Sequence, residues 1–307
     1  MNFHDFKNEI PKMIQQKLNN AYTVSLEEVI KTNDQIYTGL LIRNENEDVI
    51  PTIYLEEFYH QYLAGKTLNE ITDNILSVYI NALQHIPTPK TPSRDDFIKN
   101  LTPTVVNADL NKALLKDLPH IRFEDLAVYL RYCFNESDDR QMSVKVTSNL
   151  LASYNLTKDE AMEYAIDNLE HSKFQFKPLY QILNSILNED DFDSFPTIFV
   201  VTNQNNIYGA SCMASKKILS RIADNVLGDY YILPSSVHEI LIVPKDFIDR
   251  PEELRNMVQE INETMVSETE LLSNNIYEFD SVTKKLKMFI DNPIEKIAKA
   301  KTHSIKM

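Results

Sequence analysis

The chain has 307 residues, 43% hydrophobic and 25% charged, and its 45 acidic against 31 basic side chains leave a formal charge of −14. That composition excludes a disordered or fibrous chain, and the length allows one large domain or two ordinary ones. The negative surplus repels phosphate backbones, so direct nucleic-acid binding is not expected, and four glycines (Gly39, Gly65, Gly209, Gly228) leave no room for a phosphate-cradling glycine loop.

From the N-terminus, Phe3, Phe6, Ile10, Met13, Ile14 and Leu18 recur at threes and fours and predict a helix, with Pro11 a kink or restart. Its first ten residues carry His4, Asp5, Lys7 and Glu9 where a signal peptide would be apolar. With no apolar run approaching the roughly 18 residues of a membrane span, a soluble, cytoplasmic protein is expected. Two strands, Thr23 to Lys31 and Ile36 to Arg43, flank the polar turn Thr32-Asn33-Asp34-Gln35, and Val49 to Leu55 supplies a third. Beyond Gly65, the stripe Leu68, Ile71, Ile75, Leu76, Val78, Tyr79 and Leu83 predicts a long helix lying on that sheet.

The proline-rich stretch from Pro87 to Ser93 can neither continue a helix nor join a central strand. It divides the chain into an N-terminal hairpin and helix domain, 1–86, and a larger α+β domain, 94–290, with a basic tail, 291–307. In the larger domain a short helix over Leu110 to Leu118 precedes strands Ala127 to Phe134 and Met142 to Thr147, joined by the polar turn Asn135 to Gln141. Thr157-Lys158-Asp159-Glu160 then has capping-box spacing and starts a helix. After the acidic loop Glu189 to Asp193, Thr197 to Thr202 and Ile207 to Ala214 read as a hairpin, and Lys216 to Leu227 as a helix closed by Gly228. Strands follow at Tyr230 to Leu233 and Glu239 to Val243, then a helix capped by Asp249 with Pro251 in its first turn, then a strand pair at Ile276 to Phe279 and Leu286 to Phe289. Hairpins interleaved with long helices favour an α+β fold, and the echoes Pro51-Thr52-Ile53, Pro103-Thr104-Val105 and Pro196-Thr197-Ile198 hint at degenerate repeated units.

Reactive side chains are densest in Leu233-Pro234-Ser235-Ser236-Val237-His238-Glu239, between two apolar strands. Ser236 or Ser235 could serve as nucleophile, His238 as base and Glu239 as orienting carboxylate of a small hydrolase, provided hydroxyl and imidazole come within hydrogen-bond reach. Strand alternation would turn His238 and Glu239 to opposite faces, and the structural reading has the serines closing a turn while His238 packs as a satisfied histidine. No second histidine lies near, and the acidic loop lacks calcium-loop order, so no metal or cofactor is expected. Cys133 and Cys212 are single and fit two reduced, buried thiols. Tyr37-Thr38-Gly39 and Tyr208-Gly209 mark bulges or places where another backbone or a ligand approaches closely, with bulges favoured.

The stretches Asn107 to Asn111, Leu118 to Val128, Tyr208-Gly209-Ala210, Asp229 to Glu239 and Leu272 to Tyr277 resemble a family of Firmicutes proteins known as a domain of unknown function. The resemblance covers residues 3 to 280 and implies a cytoplasmic bacterial protein carried on mobile elements; it transfers no activity. The charge surplus and the lack of a complete catalytic or cofactor pattern lead to a non-enzymatic binding protein whose acidic surface and sheet edges engage a basic protein partner, with neither membrane nor nucleic acid as partner.

Overall fold

The computed structural model describes residues 1–18, 20–44, 50–85, 91–137, 140–183, 198–234 and 236–290. The acidic loop Glu189 to Asp193, the basic tail and most of the proline-rich stretch lie outside them. The fold is α+β, with three antiparallel sheets, and internal contacts divide the chain into two units that meet at Ser93/Arg94.

In the first unit α1 (Phe3–Lys17) leads into β1 (Tyr22–Ile30) and β2 (Ile36–Asn44), paired without a slip from Tyr22 opposite Asn44 to Ile30 opposite Ile36. Asn33 and Asp34 take positive φ in the connecting turn, a conformation short polar side chains tolerate. β3 (Thr52–Tyr54) adds to β2 and passes directly into α2 (Leu55–Leu63), and α3 (Leu68–His85) follows. The three helices bury Phe6, Ile10 and Ile14, then Leu55 and Phe58, then Ile71, Ile75 and Tyr79, against Leu40, Ile42 and Ile53 of the sheet. α1 runs through Pro11 as one helix, so no restart occurs there. Two further expectations need correction: the third strand stops at Tyr54 because Leu55 and Phe58 reach the core at helical spacing, and Val78 is exposed.

The second unit begins with α4 (Arg94–Lys99) and β4 (Leu101–Asn107), then α5 (Lys112–Leu115), β5 (His120–Phe123), β6 (Leu126–Ser137) and β7 (Arg140–Lys145). β6 pairs with β4 along one edge and with β5 and then β7 along the other, so the strands extend into the expected polar turn. Pro103 is accepted because β4 is an edge strand. α6 (Ser148–Ser153) precedes α7 (Lys158–His171), whose Thr157 and Glu160 form the complete capping box.

β8 (Phe174–Pro178), α8 (Leu179–Leu183), β9 (Phe199–Asn203), α9 (Lys216–Val226), β10 (Tyr230–Leu233), β11 (Ile240–Pro244), α10 (Pro251–Thr264), β12 (Tyr277–Asp280) and β13 (Lys285–Met288) complete the unit. Their sheet has the order β13-β12-β10-β11-β9-β8. Alternation along β10 sends Tyr230 and Ile232 into a core shared with α7 and α9, and Tyr231 and Leu233 into a second core with Leu254 and Val258 of α10. Residues 209–214 are a 3-10 turn rather than a strand, so β9 pairs with β8 and β11 instead of closing a hairpin. Leu227, not Gly228, takes the left-handed conformation after α9, and Arg250, not Asp249, occupies the N-cap of α10.

Candidate functional site

β10 and β11 are joined by the turn that holds the serines and His238. Ser235 lies outside the described residues. Ser236 is half-buried, and its Oγ accepts the His238 backbone N–H at 3.0 Å. β11 starts only at Ile240, so His238 and Glu239 precede the regular strand, and Glu239 is exposed to solvent. The imidazole Nδ1 accepts the Tyr208 N–H at 3.2 Å, which leaves the ring proton of the neutral form on Nε2, 3.7 Å from a Glu270 carboxylate oxygen. The His238 carbonyl accepts the Gly209 N–H at 2.9 Å and the Thr202 hydroxyl at 2.8 Å. Among the described residues, therefore, the hydroxyl and imidazole of the expected pair each meet backbone groups.

Tyr208-Gly209 is the other half of this arrangement. Tyr208 adopts φ 57°, a left-handed conformation unusual for a tyrosine, and the hydrogen bond from its N–H to His238 Nδ1 holds it there. A Cβ on Gly209 would lie 2.5 Å from the His238 carbonyl oxygen and 2.7 Å from Thr202 Cα. Close approach of another backbone, rather than a bulge, accounts for this glycine. At Gly39 the β1–β2 register likewise runs on without a bulge, and a Cβ would press on Thr52 Cγ2 at 2.6 Å.

The remaining segments that resemble the family converge on the same turn. Val237 donates to the Glu270 carbonyl, Ser273 to the Pro234 carbonyl, and the Asn107 side chain to the Leu272 carbonyl. Asp125 accepts the Ser273 hydroxyl at 2.7 Å, the Asn275 amide at 3.1 Å and the Tyr277 hydroxyl. Burial, reinforced by the Asp125 charge, raises the Tyr277 phenol above its ordinary pKa and keeps it a donor. This knot ties the β5–β6 turn to the strand-rich C-terminal half.

On the other side of Tyr208 the Arg131 guanidinium stands 4.1 Å over the phenol ring, and an Arg131 N–H reaches Ser143 Oγ. Beside it lies a cavity of about 250 Å³ with Thr104 and Arg131 in its wall, Lys99 and Lys173 at its rim, and the Asn203 to Tyr208 turn along one side. Arg131 is missed by motif reading, although a lone cation in the apolar run Ala127 to Phe134 is a visible signal.

The first unit presents a different surface. β1 is an edge strand, and the Gln15 side chain covers its start by accepting the Val24 N–H and donating to the Tyr22 carbonyl. Thr38, opposite Glu28, turns its amide to Glu56, so Glu28 and, two residues earlier, Leu26 direct their amides to the same open side as Val24. Among the described residues no partner meets those two amides, and Leu26, Glu27 and Glu28 are exposed.

No group of three or more His, Cys, Asp or Glu placed to hold a metal ion occurs among the described residues, and no described helix is long and apolar enough to cross a membrane. Set against known proteins, residues 3–281 match the family model described as a family of unknown function, DUF5688. No curated protein and no solved structure matches the chain.

Proposed function

From the premise that the chain belongs to the DUF5688 family of unknown function, we propose that it is a cytoplasmic, non-enzymatic binding protein that captures a basic, extended segment of a partner protein along β1. The observation behind this reading is the uncovered edge at Leu26 and Glu28, flanked by the carboxylates of Glu27 and Glu28. An open strand edge pairs with a further strand through main-chain hydrogen bonds, and two acidic side chains select lysine or arginine on the incoming segment. The net charge of −14 adds long-range steering toward a basic partner. The hydrogen bonds of Ser236 and His238 support a bracing role for that turn over a hydrolase centre.

The test uses an extended peptide of alternating lysine and valine, with binding followed by fluorescence anisotropy. Binding is expected to weaken as salt rises and to disappear in Glu28→Pro, where an outward amide is removed at a position an edge strand tolerates. The double change Glu27→Lys with Glu28→Lys should weaken binding by about tenfold or more. Binding that survives both variants, or is indifferent to salt, would overturn the proposal; circular dichroism checks that both variants keep their fold.

A further inference from the structure

We propose that the cavity beside Arg131 binds a small phosphorylated molecule, a phosphomonoester of sugar size or less. This site lies in the second unit and is independent of the β1 edge. Carboxylates outnumber cations 45 to 31 in the chain, yet Lys99, Arg131 and Lys173 line the cavity and, among the described residues, no Asp or Glu does. None of the three cations has a carboxylate within ion-pair distance among the described residues. A half-buried guanidinium without a counter-charge is costly, and an anion entering the cavity would supply one.

The geometry is preorganised for such an anion. Tyr208 lies under the guanidinium plane and Ser143 takes one of its N–H groups, which fixes the fork and leaves its other donors for a ligand. His238 holds Tyr208 from behind through the Tyr208 amide, so the turn with the densest reactive side chains positions the wall of this cavity. Asn203 fastens the intervening turn by accepting the Ile207 N–H at 3.1 Å and donating to the Ile207 carbonyl. The wall also contains Thr104, 1% exposed, whose hydroxyl neighbours the Tyr129 phenol.

Charge and size narrow the ligand class. A phosphomonoester carries about −1.5 to −2 at neutral pH and offers three acceptor oxygens, a better match to three cations than a singly charged carboxylate. The volume of about 250 Å³ falls below the range of drug-sized sites, which suits one phosphate on a small body rather than a dinucleotide.

Isothermal titration of the full chain with ribose 5-phosphate, inorganic phosphate, acetate and ribose tests this. Ribose 5-phosphate is expected to bind more tightly than acetate, and ribose not at all. Arg131→Gln, and separately Lys99→Gln with Lys173→Gln at the exposed rim, should each weaken binding by about tenfold or more. The rim variant keeps the test valid if loss of the Tyr208 stack impairs folding of the Arg131 variant. No phosphate-bearing probe binding below about 10 mM, acetate binding as well as ribose 5-phosphate, or affinity unchanged in the rim variant would each overturn the proposal.

Discussion

At Gly209 two backbones come so close that a single methyl group separates a packing requirement from a conformational one. A Cβ would meet the Thr202 hydroxyl, and behind it the His238 carbonyl oxygen and Thr202 Cα, which belong to the main chain and cannot swing aside. Gly209→Ala is therefore expected to lower stability by about 2–3 kcal/mol, as overpacked interiors do. Gly228 provides the opposite sign: nothing lies within 4 Å of a Cβ there, so Gly228→Ala should be neutral or stabilise by up to about 1 kcal/mol through the unfolded chain. Urea unfolding of the two variants checks the pair, and similar midpoints would contradict the close approach at Gly209. The sequence marks this place through a glycine beside an aromatic residue and through the cluster Ser236, His238 and Glu239. It does not reveal that His238 meets the amide of Tyr208, 30 residues away, because such a contact depends on how the strands are ordered. Nor could the spacing of Lys99, Arg131 and Lys173 announce a shared cavity, since they come from α4, β6 and the connection between α7 and β8.

Elements with a local physical signature are legible, and those decided by tertiary context are not. Thr157 and Glu160 satisfy each other's amides wherever that helix sits, and the continuous apolar run Tyr230 to Leu233 becomes a strand buried on both faces. Gly209 to Ala214 has the apolar content of a strand but turns as a 3-10 helix, because the Gly209 and Ala210 amides are drawn to the carbonyls of His238 and Val237. α2 escapes notice because it starts with no loop after β3. In β12, Glu278 is a pairing feature that composition hides: Lys287 on β13 lies 2.7 Å away and Lys245 lies 2.9 Å away. Burial alone would raise its pKa, but hydrogen bonds and charge from the two ammonium groups outweigh burial and hold the carboxyl below its ordinary 4.5. A depressed folded value means that Glu278 stabilises the sheet above its unfolded pKa, and that this contribution is lost as pH falls through the lowered folded value. Glu278→Gln should lower stability by about 1 kcal/mol at pH 7 and flatten this part of the acid dependence. Urea midpoints of wild type and variant that stay equally far apart at pH 7 and pH 3 would contradict the assignment.

For the whole molecule, strand order is the quantity that residue patterns leave open. β9 lies beside β8 and β11, and β12 beside β10, pairings separated by helices and turns that no periodicity reports. The buried clusters are nevertheless partitioned in sequence. Phe6 to Tyr79 supply one core, and the cores that contain Phe97 onward share no member with it. Each unit thus has its own apolar interior, which is the condition for separate cooperative unfolding. Ile75 is fully buried in the first core, so Ile75→Ala should destabilise that unit by about 2–5 kcal/mol through lost burial and the cavity left behind. Calorimetry of the full chain is expected to show one transition moved to lower temperature and a second one unchanged. A single transition shifted as a whole would mean that the two interiors unfold as one, and that separate apolar cores do not suffice here for separate stability.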